Sequence, residues 1–163
     1  MDKELVELRV RGIVLDGPEA QPRVVLEDKA RRRRVEFPAG AFEASAIIME
    51  LEGIAPPRPL AHDILAEVFQ EGGFFLDEVV LSARGDEVRA RLDYRQGLRR
   101  LAKEVGPADA VALAIRLGAP IEAEPALFAR EGEALPSAGP ATRARRKPRI
   151  LLLEDWRTRA VGA

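Results

Sequence analysis

The segment that most limits how this chain can fold is Pro107-Ala108-Asp109-Ala110-Val111-Ala112-Leu113-Ala114-Ile115-Arg116-Leu117, followed by Gly118. Proline suits the first position of a helix and glycine the position just past its end. Apolar side chains fall on nearly every face of the helix between them. A helix that is apolar all round has to be covered all round, so this one is expected to be central and buried.

The remaining segments supply the cover. Val6, Leu8 and Val10 alternate with Glu7, Arg9 and Arg11, the period of two of a half-buried strand. Gly12 is placed for a bulge, and Asp16-Gly17-Pro18 for the turn that ends the strand. Short strands near residues 23–28 and 33–37 read as a hairpin. Ala44, Ile47, Ile48 and Leu51 then recur at helical spacing, and Gly53 ends that helix. The stretch Ala55-Pro56-Pro57-Arg58-Pro59 cannot continue it, because proline lacks the N–H and restricts its predecessor. A second helix begins at about Pro59 or Leu60, with Ala61, Ile64, Leu65 and Val68 as its apolar stripe, and stops at Gly72-Gly73. Strands near residues 75–84 and 87–94 meet through Gly85-Asp86, a short hairpin signal. Val88, Ala90, Leu92 and Tyr94 share one side of the later strand. Leu98, Leu101, Ala102 and Val105 are spaced as in a short helix over residues 96–105, and a brief strand is expected near residues 120–124.

These readings add up to an α+β fold, with a mostly antiparallel or mixed sheet and about three main helices. Strands followed by a helix occur twice, before Gly53 and before Gly118, as in a duplicated unit. Residues 1–130 read as the domain. Residues 131–163 read as a Pro/Arg-rich linker and tail, with Arg143, Arg145, Arg146 and Lys147 followed by an apolar island at Ile150–Leu153 and Trp156.

Composition narrows the chemistry. The chain has no cysteine, which excludes disulfides, thiolate catalysis and cysteine-bound metals. Formal net charge is −1 although 33% of the residues are charged, so nucleic-acid contact would depend on local patches. No basic-then-apolar leader follows Met1, so cytoplasmic residence is the default expectation. Abundant arginine and the absence of asparagine fit a thermophile or a GC-rich genome.

His62 is the chain's single histidine, Asp63 follows it, and Arg58 precedes it by four positions. Histidine moves protons near neutral pH, carboxylates hold divalent cations, and arginine stabilises a phosphoryl charge. A site of this kind would take Mg²⁺ or Mn²⁺. The same carboxylates have a structural reading: Glu43, Asp63 and Asp109 each stand near a helix start, where an acid is favoured by capping and by the helix dipole. The run Arg31-Arg32-Arg33-Arg34 is a candidate nucleic-acid contact, and equally a solvated hairpin loop.

Two blocks resemble the bifunctional nuclease family, whose domain is also called DUF151. The first is Gly40-Ala41-Phe42-Glu43-Ala44, Ile48, Leu51-Glu52-Gly53 and Pro57 through Leu65; the second is Pro107 through Arg116 with Gly118 through Ile121. They occur in the family's order with a strand hairpin between them, and the resemblance covers roughly residues 5–129. Where the family reads Asp-Ala-Arg-Pro-Ser-Asp, this chain reads Glu104-Val105-Gly106-Pro107-Ala108-Asp109, and Ala61 stands for a usual threonine. The resemblance implies cleavage of RNA and DNA, with Arg58, His62, Asp63, Glu43 and Asp109 as the site. The alternative is a non-enzymatic oligomeric module, a dimer first of all, that binds a small anion or a protein partner.

Overall fold

The computed structural model describes residues 4–128. The tail with its arginines and its apolar island around Trp156 lies outside them. Element order is β1 (Val6–Val14), β2 (Arg23–Asp28), β3 (Arg34–Pro38), α1 (Ala41–Leu51), α2 (Ala61–Glu71), β4 (Phe74–Arg84), β5 (Glu87–Gln96), β6 (Arg99–Val105), α3 (Pro107–Leu117) and β7 (Ile121–Ala123), with a 3₁₀ turn at Pro125–Leu127. The strands form one seven-stranded sheet in the order β3-β2-β1-β7-β4-β5-β6. Every pairing is antiparallel except β4 with β7. The α+β expectation holds, with a mixed sheet and three α-helices among the described residues.

The order contains a repeat. β1-β2-β3 is a meander leading into α1, and β4-β5-β6 is a meander leading into α3. β7 lies between the two meanders, antiparallel to β1 and parallel to β4. The two strands therefore run in opposite directions, and a half-turn about an axis through the sheet near β7 superposes one unit's topology on the other's. The repeat extends to residues. Gly40 and Gly106 are the N-caps of α1 and α3, Glu43 and Asp109 follow three positions later, and Ala44 and Ala110 next to them are buried. α2 has no counterpart in this scheme.

One face of the sheet and the helices enclose the core, in which Leu8, Val24, Leu26, Val79, Leu81, Leu92 and Ile121 meet Ile47, Val111 and Leu113. Ala110 through Ala114 of α3 are all buried, as its all-round apolar pattern requires. Each fully buried valine or leucine there contributes about 1.5–3 kcal/mol. Gly118 closes α3 in the left-handed region at φ 65°, with the Ala119 N–H donating to the Ala114 carbonyl at 3.0 Å. Gly118→Ala is expected to cost about 1 kcal/mol, read as a lower urea midpoint with unchanged slope. Gly12 sits at an irregularity in the β1–β2 register, as the bulge reading anticipates.

Two expectations need correction. Residues 96–105 are a hairpin turn and the edge strand β6, not a helix. Gly97 adopts φ 58°, and Gln96 pairs with Arg99 across the turn. Leu101 and Val105 are four apart, a spacing shared by a helix and by one face of a strand, and pairing to β5 decides between them. The second correction concerns α2. Ile64 and Val68 are each 52% exposed, Leu65 is 41% exposed, and Ala61 is also exposed. α2 instead buries Ala66 and packs Phe69 against Phe74 and Tyr94 at ring separations of 5.5 Å. Its apolar stripe is real, but it faces away from the core.

Candidate active site

The first turn of α2 is where the sequence-predicted residues gather. His62 and Asp63 are adjacent, so their side chains leave the helix about 100° apart. Both nevertheless reach α3. Asp109 and Arg116 are seven positions apart on α3, which places them on one face two turns apart. His62 meets the first and Asp63 the second.

His62 Nε2 lies 2.9 Å from Asp109 Oδ1. The histidine side chain is 13% exposed and the carboxylate 53%, so the pair opens to solvent on the aspartate side. An ionised carboxylate can only accept a hydrogen bond, so Nε2 is the donor. In the neutral ring that leaves the lone pair on Nδ1. Asp109 also lies over the N-cap of its own helix. A Cβ at Gly106 would stand 3.0 Å from Asp109 Oδ2. The glycine found where the family has arginine therefore gives this carboxylate its room.

Asp63 is occupied differently. Its Oδ2 accepts from the Leu60 N–H at 2.7 Å, the backward reach of a capping carboxylate. Its Oδ1 accepts from Arg116 Nε at 2.6 Å. The Arg116 side chain is only 6% exposed. It also donates through Nη1 to the Ala112 carbonyl at 2.9 Å and through Nη2 to the Ala46 carbonyl at 3.1 Å. One guanidinium thus ties α3 to α1 and α2 and fixes where the first turn of α2 lies. Arg116 was not singled out by the sequence reading. Its signal is the seven-residue spacing from Asp109 and its position as the sole charge in the last turn of an otherwise apolar helix.

Burial works to raise the Asp63 carboxyl. The hydrogen bonds from Arg116 and the Leu60 amide, with the charges of Arg116 and His62, outweigh it and hold the group below its ordinary value. A depressed carboxyl contributes stability above its unfolded value, near 4, and loses it as pH falls through the folded value. The melting-temperature gap between wild type and Asp63→Asn is therefore expected to be full near neutral pH and to close below about pH 4.

The other predicted residues stand apart from this pair. The Glu43 carboxylate folds back over Gly40, filling the space that a Cβ there would take. Arg58 is exposed on the segment leading into α2, and no hydrogen bond or ion pair joins it to another described residue. The arginine run is divided. Asp28 Oδ1 accepts from the Arg32 and Arg33 amides at 2.8 and 3.1 Å, Arg33 stacks over Phe128 and Arg34 pairs with Glu36. Only Arg31 and Arg32 are left with exposed side chains and no such partner. No group of three or more His, Asp or Glu placed to hold a metal ion occurs among the described residues. The donor set at His62 does not fit a cation held by protein ligands alone. Among the described residues, no helix is long and apolar enough to cross a membrane.

Comparison with known proteins places this geometry in a family. An uncharacterized protein of Mycobacterium tuberculosis strain CDC 1551 / Oshkosh, MT1877, is 34% identical over 131 residues, covering 80% of this chain and 78% of its own length. The uncharacterized protein Rv1829 of strain H37Rv matches with the same identity and coverage. A family model described as the bifunctional nuclease domain matches residues 24–135, a span that holds all three α-helices and the His62–Asp109 pair. The chain belongs to the bifunctional nuclease domain family.

Proposed function

We propose that the protein hydrolyses phosphodiester bonds in RNA or DNA, with His62 as the proton-transfer group and Asp109 as the residue that orients it. The observation that carries this reading is the 2.9 Å contact between His62 Nε2 and Asp109 Oδ1. It joins the protein's one histidine to a half-exposed carboxylate at the place where two helices begin. Family membership supplies the substrate class.

The roles follow from the tautomer. Asp109 accepts from Nε2–H, so Nδ1 takes the proton of an attacking water. The water oxygen bonds to phosphorus, the bond to the leaving ribose oxygen breaks, and the proton held at Nδ1 passes to that oxygen. Asp109 stabilises the transient imidazolium. Free N–H groups at the starts of α2 and α3 favour the phosphate charge, although first-turn acids already occupy part of that capacity. Asp63 and Arg116 act on position, holding the first turn of α2 over α3.

The test is to incubate pure, folded protein with end-labelled RNA, single-stranded DNA and double-stranded DNA, with Mg²⁺, with Mn²⁺ and with a chelator. Cleavage of at least one substrate that is lost in His62→Ala supports the reading. No cleavage of any substrate, or cleavage unchanged in that variant, defeats it and favours the non-enzymatic module.

A further inference from the structure

α2 presents an apolar surface that nothing in the described domain covers. Ile64, Leu65 and Val68 are between 41% and 52% exposed, with Ala61 continuing the stripe toward the helix start. Isolated exposed apolar residues need no explanation, but a contiguous stripe along one helix marks an interaction surface. The helix does not lack anchors: Ala66, Phe69 and the Asp63–Arg116 pair already hold it to the domain. The stripe is therefore not needed for docking α2 on its own chain.

We infer that this face pairs with the same face of a second copy, α2 against α2 and antiparallel, about a two-fold axis between Ile64 and Leu65. The stripe is self-complementary about that point. Ala61 lies three positions before Ile64 and Val68 three after Leu65, so the two-fold sets Ala61 against Val68 and Ile64 against Leu65. The flanking charges obey the same rule. Arg58 lies six positions before Ile64 and Glu71 six after Leu65, so each Arg58 falls beside the partner copy's Glu71. Both are exposed, and neither has a hydrogen bond or ion pair among the described residues. An isologous contact needs this kind of symmetry, in which residue i meets j and j meets i. A tail segment or an unrelated partner gives no reason for it. Two short helices bury less than the roughly 800 Å² per partner of a standard interface. The assembly is thus a reversible dimer, to which the proline-rich segment before α2 adds contact.

Sedimentation velocity of the full chain across a wide concentration range tests this. Wild type is expected to shift reversibly from monomer to dimer, and Leu65→Glu to remain monomeric with its melting temperature retained. Arg58→Glu and Glu71→Arg each set like charges together twice per dimer and are expected to weaken association by at least about tenfold. Mixing these two variants in equal amounts restores both opposite-charge contacts, so a one-to-one heterodimer reforms. A wild-type monomer at every concentration overturns the inference. So does a dimer that is indifferent to Leu65→Glu, or a mixture that fails to recover association. None of these readouts uses nuclease activity.

Discussion

Arg116→Met is expected to lower the stability of the domain by about 3 kcal/mol, the usual cost of removing one partner from a buried ion pair. The substitution keeps much of the side chain's volume and deletes the donors to Asp63, Ala112 and Ala46. It leaves the Asp63 carboxylate, 23% exposed, without its counter-charge. At this chain length the loss corresponds to roughly 10 °C in melting temperature. Asp63→Ala removes the same pair, and the Leu60 cap with it, and should cost a similar amount. The double variant should be less destabilised than the sum of the two, because neither group is then left buried alone. Additive losses in urea denaturation would mean that the pair is not coupled.

The second large effect is on chemistry. Asp109→Asn keeps the size of the side chain but presents an amide to His62. The Nε2–H tautomer is no longer enforced, and the imidazolium loses its counter-charge. A fall in kcat of about 10²–10⁴-fold is expected, the usual contribution of a positioned acid–base group. Stability should change little, since a half-exposed pair is worth at most about 1 kcal/mol. The two predictions thus separate by readout: Arg116 is seen in denaturation, Asp109 in turnover.

Much of the fold is legible in the residues themselves. α3 runs over the span set by Pro107 and Gly118, because those two residues act through local backbone geometry that tertiary context does not override. The side-chain alternation of β5 and the bulge at Gly12 are local in the same way. What was not legible depends on partners distant in sequence. Residues 99–105 fit two periods until β5 is placed beside them. The stripe of α2 identifies an apolar face without saying whether it turns inward. That is decided by Phe69 finding Phe74 and Tyr94, and by Asp63 finding Arg116 53 positions later.

The candidate site divides along the same line. First-turn acids at Glu43, Asp63 and Asp109 are visible as a class, and the sequence gives no ground for telling them apart. In the fold they separate: Glu43 covers its own N-cap, Asp63 is bound by Arg116, and Asp109 alone pairs with His62. The contact between His62 and Asp109 spans 47 positions, beyond the reach of any local motif.

The account therefore stands on His62 and Asp109 acting as one unit. The most direct measurement is a double-mutant cycle of single-turnover cleavage, using wild type, His62→Ala, Asp109→Asn and the double variant on the substrate that wild type cleaves fastest. The predicted result is that the double variant is no slower than the slower single variant, since either change removes the same proton-transfer device. Losses that multiply, or variants that cleave at the wild-type rate, would contradict it.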